Sequence, residues 1–352
     1  MMSRQQKTIA VFRALQLGGM LCAVPALRAL RNGEPRAHIT LIGLPWARDF
    51  AARYAHLVDD FVAFPGAPGM PEQPYSPSAL TRFFHDMQER AFDLAIQLHG
   101  DGSLTNPLAR QLGARRLAAF RPAGGQAHAR LDREFLVPWP EGNEIERLLV
   151  LMRKLGYPAD DTHLSFPLSA DDQGAWQGLA QAHRLRPGGY VCVHPGARML
   201  SRRWPVARFA AVARQMPPDL QLVVTGAPDE AALAASLCEQ IGKPVVNLCG
   251  QTTLGAMAAL ISHARLLICN DTGASHIAAA MDTPSVVVSC GSDSERWAPL
   301  DRTLHEVLAY YPPCRPCAWQ ACPYGHECAL RIDAGMVAQA AQRLLYREPH
   351  HA

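Results

Sequence analysis

Leu266-Leu267-Ile268-Cys269 runs without a break into Asn270-Asp271-Thr272-Gly273-Ala274-Ser275-His276. An apolar run, a polar turn with glycine and then small residues at helical spacing predict a strand, a tight loop and a helix start. In a parallel sheet, ligands bind beyond the carboxyl ends of the strands, so this loop is where a bound molecule is expected. Gly273 permits close backbone approach, and the new helix offers unpaired N–H groups to an anion. Thr272 and Ser275 add hydroxyl donors. The ordinary alternative is a capped helix start, since Asn, Asp and Thr are all good N-caps.

Outward from this loop the same alternation repeats. Strands are expected at Tyr190 to Val193, Leu220 to Thr225, Val245 to Leu248 and Ser285 to Ser289. Between them, Val206 to Met216, Asp229 to Ile241, Leu254 to His263 and Ser275 to Met281 read as helices with one apolar stripe. The first half repeats the theme: strands at Thr8 to Phe12, His38 to Ile42 and Leu94 to Leu98, and a helix through Leu21, Val24, Leu27 and Leu30. Strands alternating with helices imply parallel βαβ units, hence an α/β fold with two Rossmann-like domains whose parallel sheets face a cleft. The expected division is an N-terminal domain over 1–165, a Pro/Gly-rich linker over 166–189, a C-terminal domain over 190–332 and a last helix within 333–352.

Composition narrows the function classes. Of 352 residues 49% are apolar and 18% charged, which is globular, and a net charge of +3 gives no electrostatic case for nucleic acid. The positive charge is nearly all Arg, whose fork suits phosphate and carboxylate. No secretion signal or membrane span is read from the sequence, and six of the ten cysteines are scattered in apolar runs, so a reducing cytoplasmic setting is expected.

Two further strand ends carry glycine and polar groups. His194-Pro195-Gly196-Ala197 is followed by Ser201-Arg202-Arg203-Trp204-Pro205, and Gly226-Ala227-Pro228-Asp229-Glu230 closes the next strand. All three ends open onto one crevice. Arg202 or Arg203 there can neutralise a diphosphate, against the alternative of a solvated helix face.

These residues resemble the ADP-heptose:lipopolysaccharide heptosyltransferases of glycosyltransferase family 9. The matching blocks are HPGARMLSRRWPVARF (194–209), VVTGAPDEAAL (223–233), NLCGQTTLGAMAALISHARLLICNDTGASHIAAAMDTPSVVV (247–288) and SERWAPL (294–300). VFRALQLGGMLCAVPALRAL (11–30) and DLAIQLHGDGSLTNPLARQLGAR (93–115) fit as well, so the resemblance spans nearly the whole chain. It implies the GT-B fold, with the acceptor on the N-terminal domain (1–165), the ADP-sugar on the C-terminal domain (190–332) and a last helix, within 333–352, that packs back on the N-terminal domain. It implies inverting, metal-independent transfer of heptose from ADP-heptose to an inner-core lipopolysaccharide sugar, with no catalytic cofactor. Asp271, Thr272, Gly273 and His276 match the family's donor loop, Arg202 stands where a phosphate-contacting Lys is common, and Glu230 falls near the ribose-binding acid. The acceptor is expected to be an anionic glycolipid, reached at the inner face of the inner membrane, and Arg13, Arg28, Arg31, Arg110, Arg115 and Arg116 are candidates to meet it. A protein serine as acceptor is the alternative.

One departure concerns the base. The family places an Asp after the glycine of its first loop, where this chain has Gly19 in Leu17-Gly18-Gly19-Met20. A base supplied elsewhere, or a form that binds donor without turning it over, are the readings this leaves. Asp101 in His99-Gly100-Asp101-Gly102 follows a strand and is the catalytic candidate, with His99 second; the alternative for Asp101 is a turn residue between glycines.

Cys314, Cys317, Cys322 and Cys328 are bunched in a Cys-rich loop over 312–330. Thiolates at such spacing can wrap a structural zinc or iron, and the resemblance adds that relatives acting on proteins hold iron in such a finger. Free thiols are the alternative.

Overall fold

The computed structural model describes residues 6–124 and 133–346. It divides into two compact units, the first ending at His163 and the second beginning at Leu164. In chain order the first contains β1 (Thr8–Phe12), α1 (Leu17–Leu21), α2 (Val24–Gly33), β2 (His38–Gly43), α3 (Ala47–Arg53) and β3 (Asp60–Ala63). It continues with α4 (Pro77–Glu89), β4 (Leu94–Gln97), α5 (Thr105–Arg110), β5 (Arg116–Arg121), β6 (Glu134–Pro138) and α6 (Glu144–Lys154).

The second contains α7 (Ala170–His183), β7 (Tyr190–His194), α8 (Val206–Arg214), β8 (Gln221–Val224), α9 (Ala231–Ile241), β9 (Val246–Asn247) and α10 (Leu254–Ser262). After these come β10 (Leu266–Asn270), α11 (Gly273–Ala280), β11 (Ser285–Ser289), α12 (Ser294–Trp297), β12 (His305–Ala309), α13 (Glu327–Leu330) and α14 (Ala334–Leu345). Single 3₁₀ turns at Leu200–Arg202 and Pro228–Glu230 lead into α8 and α9.

Each unit has a six-stranded sheet, ordered β3-β2-β1-β4-β5-β6 in the first and β12-β11-β10-β7-β8-β9 in the second, and every pairing is parallel. Read from its other edge, the second order repeats the first. Both are the doubly wound arrangement whose order reverses between the first and fourth strands. The reversal lies between β1 and β4 in one unit and between β7 and β10 in the other. Both faces of the central strands are covered by helices, so β7, β10 and β11 are buried along their whole length, as their unbroken apolar runs require. No helix among the described residues is long and apolar enough to cross a membrane.

Two expectations are corrected. Much of the supposed linker is α7, opened by a capping box in which Ser169 and Asp172 each satisfy the other's backbone N–H. Its prolines lie outside the helix, whereas Gly174 and Gly178 sit within it; the helix packs on α10, and Trp176 stacks on His263 at 3.7 Å between ring centroids. The final helix α14 packs on α8, β10 and β11 of its own unit. Val337, Ala338, Ala341 and Leu344 on its apolar face complete the second core, so this face is spent within its own unit.

Trp204 is the largest fully buried side chain, set edge-on to Phe209 at 4.9 Å, with its indole N–H donating to Ile332 O at 2.9 Å. Trp204→Ala is expected to destabilise the second unit by about 3–5 kcal/mol through the cavity and the lost indole hydrogen bond. Urea unfolding followed by circular dichroism checks this; a loss below about 1 kcal/mol contradicts it.

Candidate functional site

The site assembles where the second sheet reverses its strand order. Asn270, fully buried at the end of β10, reaches across the reversal. Its Nδ2 donates to Pro195 O at 2.7 Å and Gly196 O at 3.3 Å, beyond the end of β7. Its Oδ1 accepts the Trp204 N–H at 2.9 Å. One amide thereby fixes the loop after β7, the approach to α8 and the start of the donor loop.

Thr272 is the N-cap residue of α11, yet its side chain makes no capping bond. Its Oγ1 is buried and has no partner among the described residues. The helix start is held instead by Ser275, whose Oγ donates to Thr272 O at 2.7 Å. The capping alternative thus fails for Thr272: its hydroxyl and the first N–H groups of α11 are left for something else. His276 is buried in the first turn of the same helix.

Arg202 has the same character. Its Nη2 donates to Cys317 O at 2.6 Å, while its Nη1 is buried without a partner among the described residues. Burial lowers its pKa, and the neighbouring Cys317 and Asp271 oppose that shift. A guanidinium and a hydroxyl, each with an unsatisfied buried donor, stand beside a helix N-terminus. Buried polar groups are rarely left so, and an anion would satisfy both.

Glu230 is placed by the third strand end. It is buried, its Oε2 accepts the Ala227 N–H at 2.9 Å, and Arg203 Nη2 stands 3.8 Å from Oε1. The carboxylate lies against Gly196, where a Cβ would come within 2.1 Å of both oxygens. A side chain at 196 and the carboxylate in this position are mutually exclusive. His194, whose Nδ1 is 3.0 Å from Thr225 Oγ1, is pushed down in pKa by burial, with Glu230 opposing.

A fourth strand end was overlooked in the sequence. Ser289 at the end of β11, and Ser292 just beyond, both hydrogen bond to Asp271 Oδ2, Ser289 at 3.2 Å. The signal was the one applied to the other three: Ser289-Cys290-Gly291-Ser292 is also polar, glycine-containing and follows a strand.

In the first unit, Asp101 lies between Gly100 and Gly102, both at positive φ. Its Oδ1 accepts the Ser103 N–H at 2.9 Å and its Oδ2 the Ser103 hydroxyl at 3.0 Å. This is the turn geometry of the alternative reading, though each oxygen keeps a free lone pair. His99 is engaged as well: its Nδ1 accepts the Ala14 N–H at 3.3 Å.

The arginines proposed for the acceptor are mostly committed elsewhere. Arg13 is fully buried, with its Nη2 on Glu144 Oε1 at 3.0 Å and its Nε on Gly19 O at 2.6 Å. Arg28 pairs with Asp161, Arg31 with Asp59, Arg110 with Glu134 and Arg115 with Asp93. Acidic partners distant in sequence neutralise them, which spacing could not reveal.

The four cysteines do not form a ligand shell. Among the described residues no three of their sulfurs lie within 4.8 Å of one another. Cys328 is buried in the second core, Cys322 Sγ accepts the N–H groups of Tyr324 and His326, and Cys317 turns towards Gly291. Cys314, Cys322 and Cys328 line a pocket of about 220 Å³. The sulfurs lie too far apart in this arrangement to share the expected zinc or iron, although three of the four border one pocket.

Gly196→Ala is expected to push the Glu230 carboxylate from its place and weaken nucleotide binding by roughly tenfold or more, the scale of a lost charged hydrogen bond. Isothermal calorimetry with ADP decides it, and unchanged affinity rejects the contact.

The model of glycosyltransferase family 9 (heptosyltransferase) matches residues 80–327. Lipopolysaccharide heptosyltransferase 3 of Escherichia coli is 30% identical over 244 residues, 65% of this chain and 69% of that protein. Lipopolysaccharide heptosyltransferase 2 of Salmonella typhimurium is 31% identical over 126 residues, about a third of each chain. Among solved structures, a family 9 glycosyltransferase from Veillonella parvula superposes with a TM-score of 0.77 at 21% identity, covering 96% of this chain and 97% of that one. Escherichia coli heptosyltransferase WaaC with ADP gives 0.68 at 18% identity, covering 96% and 99%. With its two doubly wound sheets in the GT-B arrangement and a family match across most of its length, the chain belongs to glycosyltransferase family 9, the heptosyltransferases.

Proposed function

We propose that this glycosyltransferase moves a heptosyl group from ADP-heptose to a sugar hydroxyl of a lipopolysaccharide inner core, inverting the anomeric centre and using no catalytic metal. The observation that carries the donor half is the pair of buried, unpartnered donors, Arg202 Nη1 and Thr272 Oγ1, beside the α11 N-terminus. A diphosphate satisfies both at once. As the bond from the anomeric carbon to the diphosphate breaks, charge grows on the departing oxygen, and these fixed donors stabilise it in place of a metal. Glu230 accepts ribose hydroxyls, and its seat against Gly196 brings it beside the same strand ends. The acceptor class rests on the relatives, which are named for lipopolysaccharide, and transfer is assigned to the cytoplasmic face of the inner membrane.

On the acceptor side, the attacking hydroxyl must give up its proton as it bonds to the anomeric carbon. Asp101 is the proposed base. The two Ser103 donors fix its orientation, and the remaining lone pairs can take the proton.

Arg202→Ala is expected to weaken ADP-heptose binding by roughly tenfold to a hundredfold, the range of hydrogen bonds to charged groups. Steady-state kinetics checks it, and an unchanged donor KM and turnover sinks the diphosphate assignment. Asp101→Asn is expected to lower kcat by about a hundredfold or more with donor KM little changed. Full turnover by that variant rejects Asp101 as base. Equal rates in EDTA and in magnesium test metal independence.

A further inference from the structure

We propose that Arg315 is a positioning residue for the donor sugar, acting through Ser289 and Ser292 on the Asp271 carboxylate. The inference rests on the donor-site reading above and adds to it a residue from the Cys-rich loop.

Arg315 is a buried cation, 8% exposed, and all of its bonding nitrogens are used inward. Nη2 donates to Ser289 Oγ at 2.8 Å, Nε to Ser292 O at 2.6 Å and Nη1 to Tyr310 O at 2.7 Å. The guanidinium lies 4.1 Å over the Tyr311 ring. Among the described residues no carboxylate touches it. The nearest anionic route is through the two serines: Ser289 Oγ and Ser292 Oγ are 2.8 Å apart, and both hydrogen bond to Asp271 Oδ2.

Counting protons fixes the direction of this network. A serine hydroxyl has one proton to donate and two lone pairs to accept with. The Arg315 N–H fills an acceptor position on Ser289, so the Ser289 proton points away from the guanidinium, towards Asp271 or Ser292. Where Ser289 donates to Ser292, the Ser292 proton goes to Asp271; where Ser289 donates to Asp271, Ser292 donates to Asp271 or to Ser289. In each case a hydroxyl proton reaches the carboxylate, and Oδ2 is held as an acceptor. Oδ1 has no hydrogen-bond partner among the described residues, so the network turns one oxygen inward and leaves the other for a ligand.

An outward carboxylate oxygen repels a diphosphate and accepts from hydroxyls. Asp271 Oδ1 is therefore suited to the hydroxyls of the transferred sugar, while Arg202 meets the phosphates. The same short segment sets both groups. Two residues after Arg315, Cys317 donates its N–H to Gly291 O at 2.9 Å and accepts from Arg202 Nη2 at 2.6 Å. Gly291, at positive φ between the two serines, allows this approach; a Cβ there would meet Cys317 Sγ and Ser201 O at 3.2 Å.

The test compares two probes, ADP and ADP-heptose, by calorimetry on the full chain. Arg315→Gln and Ser292→Ala are expected to leave ADP affinity within about twofold and to weaken ADP-heptose by roughly tenfold, the scale of a lost charged hydrogen bond. Arg315→Lys, which restores the charge and one donor, is expected to recover most of that loss. Unchanged ADP-heptose affinity in the variants overturns the proposal. So does a parallel loss for ADP and ADP-heptose, because a collapsed loop would release Arg202 as well. If Arg315→Gln does not fold, the Ser289→Ala/Ser292→Ala double variant carries the same comparison. Failure of the unaltered protein to bind ADP would instead strike the donor-site reading itself.

Discussion

The second unit depends on one neutral side chain. At the point where a doubly wound sheet reverses its order, the chains leaving two adjacent strands turn to opposite faces and a gap opens between them. Asn270 spans that gap with two donors and one acceptor, all used. Without it, buried carbonyls at Pro195 and Gly196 and the Trp204 N–H would lose their partners together, at about 1–3 kcal/mol each. Everything else in the site is built on segments this amide holds: the Arg202 turn, the Gly196 seat for Glu230 and the start of α11.

The first unit meets the same topological problem with a charge. Arg13 follows β1 and donates to Leu98 O beyond β4, across the matching reversal. A buried guanidinium needs a counter-ion, and Glu144 at the start of α6 provides it. The contrast bears on function. In the first unit the reversal is closed by a fixed ion pair, whereas in the second it is bridged by an amide with no charge of its own. The charges there come from Arg202, Asp271 and Glu230, the residues proposed to meet the donor.

The alternation of strands and helices was legible because buried parallel strands are continuous apolar runs, and β11 was bounded correctly at both ends. The donor loop was legible because it follows such a run. The half-buried edge strands were not: β6 and β12 mix charged and apolar residues and resemble loops. Nor were the partners of the arginines, since Arg13 and Glu144 are joined by folding and not by spacing. Thr272 shows the limit most clearly. Its sequence context suits a helix cap or an anion site equally, and only the unfilled hydroxyl separates them. The four-cysteine spacing shows the converse limit: it brings three side chains to one pocket, yet no three sulfurs close enough to share an ion.

The last described helix has a consequence for how the molecule is made. The sheet of the first unit is complete in sequence by β6, and α6 follows directly, so that unit can close its core while later residues are still being synthesised. The donor-side unit cannot. Its β10 and β11 rest on α14, so one face of its sheet stays open until residues beyond 334 have emerged. During that interval an apolar surface is in view of chaperones and of neighbouring nascent chains. The second unit is thus the one more exposed to capture or misassociation at birth.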